Sequence, residues 1–288
     1  MKLYKWIVPL LMVLLVSCGT KAHSSIQAER EMTVVALSSS LAELWLLSGG
    51  DVAATTDDAF HEHPVGVGKN CINLGTVKNP SIEQILSLEP GLVLLSPHLA
   101  SHQSIKGQLE SFQIACKTFD LDTLEHYLEA LQWCCEKTGN EEAYQKQGVK
   151  TATRAASIIS SFSPPQEERV LLLRAHSTKV KALDERSLVG AMLRDLEIET
   201  LSDQYPSLLD QLSWEIILKE DPTVILVVPM GDVSVAETQL QTLICDNPIL
   251  SGVEAIKRGQ VHLLPKELFG YKPNQRWDES YAYLTSLL

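Results

Sequence analysis

The chain contains one pattern twice, and this pattern decides the fold. The first copy reads SIEQILSLEPGLVLL over residues 81–95, and the second reads SWEIILKEDPTVILV over residues 213–227. At a constant offset of 132 residues, without a gap, Ser, Glu, Ile, Leu and Pro coincide. In each copy an amphipathic helical segment ends at the proline, and an uninterrupted apolar strand follows. The shared register indicates a duplication, and therefore two lobes of similar structure.

A weaker repeat accompanies the first one. The segment that begins at Ser40 is predicted to correspond to the segment that begins at Ser187, and each follows an apolar strand, at residues 34–37 and 170–173. Apolar strands that alternate with helices are typical of a parallel sheet covered by helices. We therefore predict an α/β fold with two similar lobes, each containing a mainly parallel sheet covered by helices.

A single long α-helix is predicted to join the lobes over residues 139–163. Asn140 has the properties of an N-cap, and the Ser-Pro-Pro sequence at 163–165 ends the helix. Such a helix is about 30 Å long, at about 1.5 Å per residue. It would separate an N-terminal lobe at 32–138 from a C-terminal lobe at 164–288. Ligands bind at the carboxyl ends of parallel strands, so a ligand cleft is expected between the lobes.

The first 31 residues are predicted to be removed or to act as a tether. An uncharged run at 6–16 follows two lysines, and it is too short to span a membrane, which needs about 20 apolar residues. The sequence Leu15-Val16-Ser17-Cys18 resembles the lipobox of bacterial lipoproteins. This resemblance implies a signal peptide at 1–17, a lipid on Cys18 and a position on the extracytoplasmic face of the cell membrane. Residues 18–31 are expected to form a flexible leash. An ordinary secretory signal is the alternative.

Charge and motifs limit the classes of function. The chain has 36 acidic and 24 basic residues, a net charge of −12, which disfavours binding to nucleic acid. It lacks the G-x-S-x-G, P-loop and H-E-x-x-H motifs, so no enzyme is predicted, and a secreted lipoprotein enzyme is only an alternative. The five cysteines after Cys18 are irregularly spaced, and we expect buried thiols rather than disulfides.

Three further motifs carry a family resemblance that covers roughly residues 33–288. They read VVALSSSLAE at 34–43, NPSIEQIL at 79–86 and GQVHLLPKELFG at 259–270. Together with the long helix, they resemble the helical-backbone substrate-binding proteins of ABC importers.

The resemblance has several implications for function. It implies a monomeric binding protein, without an intrinsic cofactor, that captures a ferric siderophore, haem or cobalamin. The cargo is delivered to an ABC permease dimer with its ATPase. The resemblance also implies that one glutamate on each lobe docks on the permease. The two glutamates that match are Glu83 and Glu215, which the repeat superposes.

The loops after the repeated strands are expected to line the cleft. The offset of 132 residues places His98 over Met230. Imidazole and thioether are a known axial pair for haem iron, and Met230 matches a position at which some haem-binding relatives ligate iron. Metal ligation by His98 and Met230 is therefore expected only if the cargo is haem.

Cargoes other than haem would bind to other residues. Ferric siderophores are usually anionic, and cationic or hydrogen-bonding side chains would bind them. The candidates for this role are Lys78, Arg174, His176, Tyr271, Lys272 and Arg276. Capture of bare zinc or manganese ions is a rival hypothesis, with His61, Glu62, His63, His98 and His102 as ligands. The sequence leaves these cargoes open.

Overall fold

The computed structural model describes residues 32–288 of the chain. The predicted signal peptide at 1–17, Cys18 and the predicted leash at 18–31 lie outside the described residues. The strands are β1 (Val34–Ala36), β2 (Ala54–Thr55), β3 (Ile72–Asn73), β4 (Leu92–Leu95), β5 (Cys116–Thr118), β6 (Val170–Ala175), β7 (Val180–Ala182), β8 (Val224–Pro229) and β9 (Val261–Leu263).

Helices alternate with these strands. They are α1 (Ser39–Leu47), α2 (Ile82–Ser87), α3 (Ala100–Ser111), α4 (Leu124–Thr138), α5 (Glu141–Ala143), α6 (Lys150–Ser161), α7 (Leu188–Asp195), α8 (Leu201–Gln204), α9 (Ser207–Asp210), α10 (Trp214–Glu220), α11 (Val233–Leu240), α12 (Glu254–Lys257), α13 (Lys266–Phe269) and α14 (Trp277–Leu287). Between residues 32 and 288, none of the helices combines the length and the apolar character needed to cross a membrane.

Each lobe contains one sheet. The N-terminal sheet has the strand order β3-β2-β1-β4-β5, and all its strands are parallel. The C-terminal sheet has the order β7-β6-β8-β9, and only β7 is antiparallel. The β1–β4 pair of the first sheet corresponds to the β6–β8 pair of the second. The predicted fold class, with two similar and mainly parallel α/β lobes, is confirmed.

The repeated pattern forms the same local structure in both lobes. Ser81 caps α2 and Ser213 caps α10, and each hydroxyl accepts a hydrogen bond of 3.3 Å from the backbone N–H three residues further on. The residues before the two prolines, Glu89 and Asp221, have left-handed backbones with φ of 45° and 46°. Non-glycine residues rarely adopt this conformation. Its occurrence at two equivalent positions supports the register of the repeat.

The weaker repeat holds with a different register. Helix α1 is capped by Ser38, whose hydroxyl accepts from the N–H of Leu41 at 3.3 Å. Helix α7 is capped by Ser187, which accepts from Gly190 at 3.2 Å. Ser38, and not Ser40, is therefore the equivalent of Ser187. The prediction was wrong by two residues because three consecutive serines each have the chemistry of an N-cap.

A continuous helical segment, here called the linking helix, joins the lobes over residues 141–161. It consists of α5, a π-helical turn at Tyr144–Val149, and α6. The side chain of Asn140 caps its first turn by accepting a hydrogen bond of 3.1 Å from the N–H of Ala143.

One apolar core extends from lobe to lobe. It contains one face of each sheet together with Tyr127 of α4, Ala155 of the linking helix and Trp277 of α14, and all three side chains are buried. The opposite face of each sheet has a core of its own. The relative position of the lobes is therefore set by side-chain packing. The adjacent thiols of Cys134 and Cys135 are free and buried within this shared core.

Candidate functional site

Loops at the carboxyl ends of the two sheets meet between the lobes. Lys266, which follows β9, donates a hydrogen bond of 2.8 Å to a carboxylate oxygen of Glu62. The hydroxyl of Tyr271 donates to the same oxygen at 3.1 Å. Lys272 forms an ion pair with Asp122, which follows β5. These contacts bring the carboxyl ends face to face, which is the arrangement expected of a ligand cleft.

A second set of charged residues acts on His176, which follows β6, and we call this set the cationic cluster. It consists of Arg174, Lys179, Lys181 and Lys78, whose positive charges each lower the pKa of His176. Arg174 of β6 lies directly opposite Lys181 of β7 in the antiparallel pair. Like charges in this arrangement repel each other, and a bound anion would remove the repulsion.

The pKa of His176 reflects the positive charge of the cationic cluster. Burial lowers the pKa of His176, and the charges of the cationic cluster lower it further. Lys78 belongs to the N-terminal lobe, so positive charge reaches His176 from both sides of the cleft. Lysine and arginine side chains offer only hydrogen-bond donors, which suit an anionic ligand.

Arg174 is the member of the cationic cluster that is best placed to bind an anion. Burial lowers the pKa of its guanidinium, and the charge of Asp122 partly offsets this effect. Its Nε is buried and has no hydrogen-bond partner among the described residues. A buried donor without a partner costs free energy, which an anionic ligand would recover.

The proposed haem ligands are placed differently. The Nε2 of His98 lies 3.1 Å from Asp120 Oδ1 and 3.1 Å from Asp122 Oδ2, so two carboxylates of its own lobe engage the imidazole. Met230 is half-buried after β8, and its N–H donates to the carbonyl of Ala175 at 2.9 Å. The role of this pair as axial ligands stays a prediction.

Two other candidates are occupied by contacts within the protein. Besides its bond to Glu62, Tyr271 packs its ring on His63, with 4.6 Å between ring centroids. Arg276 precedes α14 and pairs with Glu279 at 2.8 Å. The structure does not bring Arg276 together with the cationic cluster.

The rival zinc ligands are not assembled. Glu62 binds Lys266, and His63 Nε2 lies 3.4 Å from Glu43, while His61 is exposed. Within residues 32–288, the group with metal-ligand spacing is His98 with Asp120 and Asp122.

His102 cannot serve as a metal ligand because it is fully buried and both ring nitrogens have backbone partners. Its Nδ1 accepts from the N–H of Ser96 at 3.1 Å, and its Nε2 donates to the carbonyl of Val77 at 3.1 Å. It therefore joins the loop that carries Lys78 to the loop that carries His98. His102 is a positioning residue for two sides of the cleft.

Sequence reasoning missed Asp120 and Asp122, as well as Lys179 and Lys181. The aspartates immediately follow β5, and the lysines lie on the β6–β7 hairpin. Polar residues directly after a buried strand were the available signal. The signal is weak because hairpins and loops are usually polar for reasons of solvation alone.

The two predicted docking glutamates occupy equivalent places. Glu83 lies in the first turn of α2 and Glu215 in the first turn of α10, and both are exposed. The two carboxylates therefore lie on the surface of different lobes at positions related by the repeat. Their role in docking stays a prediction.

Comparison with known proteins gives a family and a fold. The sequence model of the family described as periplasmic binding protein matches residues 34–268. A search of curated protein sequences gives no significant match.

Solved structures share the fold at low sequence identity. An ABC transporter substrate-binding protein from Listeria monocytogenes superposes with a TM-score of 0.74 at 16% identity, covering 90% of this chain and 99% of that one. The protein IsdE of S. aureus, solved with haem, gives 0.73 at 15% identity, covering 89% and 98%. The siderophore-binding protein BauB, solved with acinetobactin and ferric iron, gives 0.70 at 16% identity, covering 89% and 91%.

The buried imidazole of His102 makes stability depend on pH. Burial lowers its pKa, although the bond to the Val77 carbonyl and the charge of Asp58 oppose this. As the pH falls below the ordinary value of 6.5, the unfolded chain gains a proton here before the folded chain does, so the free energy of unfolding falls. We expect His102→Gln to be less stable at neutral pH by about 1–3 kcal/mol and to show a shallower decline between pH 7 and 5.5.

Urea denaturation across this pH range would measure both effects. His61→Gln is the matched control, because its side chain is exposed in the folded chain as in the unfolded one. Equal pH slopes for the two variants would contradict the role assigned to His102.

Proposed function

This chain belongs to the periplasmic binding protein family, and from that premise we propose that it captures an iron-containing chelate outside the cytoplasm and delivers it to an ABC permease. The family and the solved relatives are binding proteins, so the chain is a binding protein and not an enzyme. Proteins of this kind work with an ABC permease and its ATPase. The identity of the cargo, the lipid anchor and the monomeric state belong to the proposal.

The cationic cluster is the observation that carries the choice of cargo. Ferric siderophores are usually anionic, and guanidinium groups bind carboxylate and similar oxygens through charge-assisted hydrogen bonds. The unpartnered Nε of Arg174 supports an anion in the cleft. The solved relative BauB binds a ferric siderophore. We therefore favour a ferric siderophore.

Haem is the second candidate. Several solved relatives bind haem, among them IsdE and the Vibrio cholerae protein HutB. His98 and Met230 follow equivalent strands, as axial ligands from two lobes would. Haem binding would require His98 to break its contacts with the carboxylates of Asp120 and Asp122. For this reason we place haem second. No specific observation favours cobalamin, and the histidines suggested for bare zinc or manganese are not assembled.

Loss of Arg174 should weaken binding of an anionic chelate. One charge-assisted hydrogen bond is worth about 1.5–3 kcal/mol, so Arg174→Gln should weaken binding by roughly ten- to a hundredfold. Quenching of tryptophan fluorescence by a ferric catecholate complex would measure this, with haem titrated in parallel. Arg186→Gln removes an exposed guanidinium that pairs with Asp184 and serves as the control. If Arg174→Gln and Arg186→Gln bound the ferric catecholate equally well, Arg174 would no longer support an anionic cargo. If only haem quenched the fluorescence, haem would become the first candidate and the ferric siderophore the second.

The docking glutamates should matter for uptake but not for capture. A pseudo-symmetric receptor meeting a two-fold permease needs like charges in equivalent places, which Glu83 and Glu215 supply. The double variant Glu83→Lys with Glu215→Lys should abolish uptake by cells while chelate affinity stays unchanged. Glu129→Lys with Glu237→Lys reverses two other exposed carboxylates, one on each lobe, as the control. If chelate affinity fell with uptake, the docking assignment would be wrong.

The proposed tether makes a further prediction. Two or more acyl chains hold a protein at a membrane, whereas one chain binds only marginally. Cys18→Ala should therefore move the protein from the membrane fraction to the soluble fraction, and the intact mass of the mature chain should lose the lipid. An unchanged distribution between the fractions would argue against lipid on Cys18.

A further inference from the structure

His98, Asp120 and Asp122 form a compact donor set in the cleft. Their ligand atoms all lie within 4.8 Å of one another. His98 follows β4, and the two aspartates follow β5, which is the parallel neighbour of β4. The sheet therefore places all three side chains at the same carboxyl edge, on the side where Lys272 reaches across from the other lobe.

The distances in this set fit a metal ion. A transition-metal ion binds nitrogen and oxygen ligands at about 2.1 Å, so adjacent ligands of an octahedral ion lie about 3.0 Å apart. The Nε2 of His98 lies 3.1 Å from an oxygen of each aspartate. One imidazole with two carboxylates suits iron, manganese or cobalt, and all three ligands lie on one side of the ion.

The local charges leave room for a cation. Lys272 pairs with Oδ1 of Asp122, while Oδ2 of the same carboxylate points to His98. Asp120 turns Oδ1 toward His98 and Oδ2 toward Nδ1 of His126, 3.8 Å away. Lys272 thus pairs with only one of the two carboxylates, and an oxygen of each carboxylate lies 3.1 Å from the imidazole nitrogen.

The set is accessible to solvent, and one of its carboxylates interacts with a positive charge. The side chain of His98 is 54% exposed, and that of Asp122 is 19% exposed. The charge of Asp122 acts on Arg174, and among residues 32–288 the buried Nε of Arg174 has no hydrogen-bond partner. The Nε of Arg174 is a separate sign of a ligand, because the carboxylates do not satisfy it. An anion bound to the open side of a metal ion would satisfy it.

We propose that His98, Asp120 and Asp122 coordinate a transition-metal cation directly, and that a small polycarboxylate fills the remaining positions and pairs with Arg174. This metal site rests on the proposed function, because it lies in the cleft that would hold the cargo. It narrows the cargo to a chelate that leaves some coordination positions of its metal ion open. The protein then recognises the metal by its N-terminal lobe and the anion by its C-terminal lobe.

Cobalt(II) titration of the purified, chelator-washed protein tests this directly. Visible absorption of the bound ion reports coordination, first with cobalt(II) alone and then with citrate added. We expect one ion per chain, tighter binding with citrate, and a loss of more than about tenfold in affinity in Asp120→Asn with Asp122→Asn. Arg174→Gln should abolish the tightening of cobalt binding by citrate. Glu125→Gln removes an exposed carboxylate from the neighbouring helix and should change neither response.

Two further measurements distinguish loss of the metal ligands from loss of the folded structure. Circular dichroism and thermal melting check the double variant, and the exposed His98→Ala provides a second loss of ligand with little risk to folding. Equal cobalt affinity in the wild type, His98→Ala and the double variant would overturn the metal site. If ferric catecholate or haem still quenched fluorescence while cobalt did not bind, the proposed function would stand and the metal site would fall. If cobalt bound but no ferric chelate did, the metal site would stand and the proposed function would be wrong.

Discussion

The packing of the linking helix and α14 against both lobes is the interaction on which the site depends. Tyr127, Ala155 and Trp277 are buried in an apolar core that both sheets share. Separating the lobes would expose part of this core at about 25 cal/mol per Å² of apolar area. We therefore expect the carboxyl ends of the two sheets to keep their facing arrangement, and ligand capture to depend on the side chains at the rim.

Those side chains carry charges of both signs. Two aspartates and a histidine follow strands of the N-terminal sheet, whereas Arg174, Lys179 and Lys181 lie on the β6–β7 hairpin of the C-terminal lobe. A chain with a net charge of −12 thus keeps a local positive field. A metal ion carried by an anion also has both signs of charge, which is the kind of cargo that we propose.

Prediction from sequence succeeded where the physics is local. The N-caps at Ser81 and Ser213, the proline stops and the apolar strands depend on a few neighbouring residues, and both copies of the repeat show them. It failed where several residues had the same local chemistry, as in the choice of Ser40 over Ser38. Arg174, His176 and Lys78 were predicted as ligand-binding residues, and the charges of Arg174 and Lys78 both act on His176. Their role in binding stays a prediction, and Arg276 pairs with Glu279.

The sequence by itself determined the two α/β lobes, the linking helix and the equivalence of Glu83 with Glu215, because periodicity, capping and repetition are written along the chain. Only the tertiary structure decided which polar side chains meet. His98 contacts Asp120 because β4 and β5 are neighbours in the sheet, and the charge of Lys78 acts on His176 because the two lobes pack around one core. Such meetings depend on strand order and on the orientation of the lobes, which residue spacing alone does not encode.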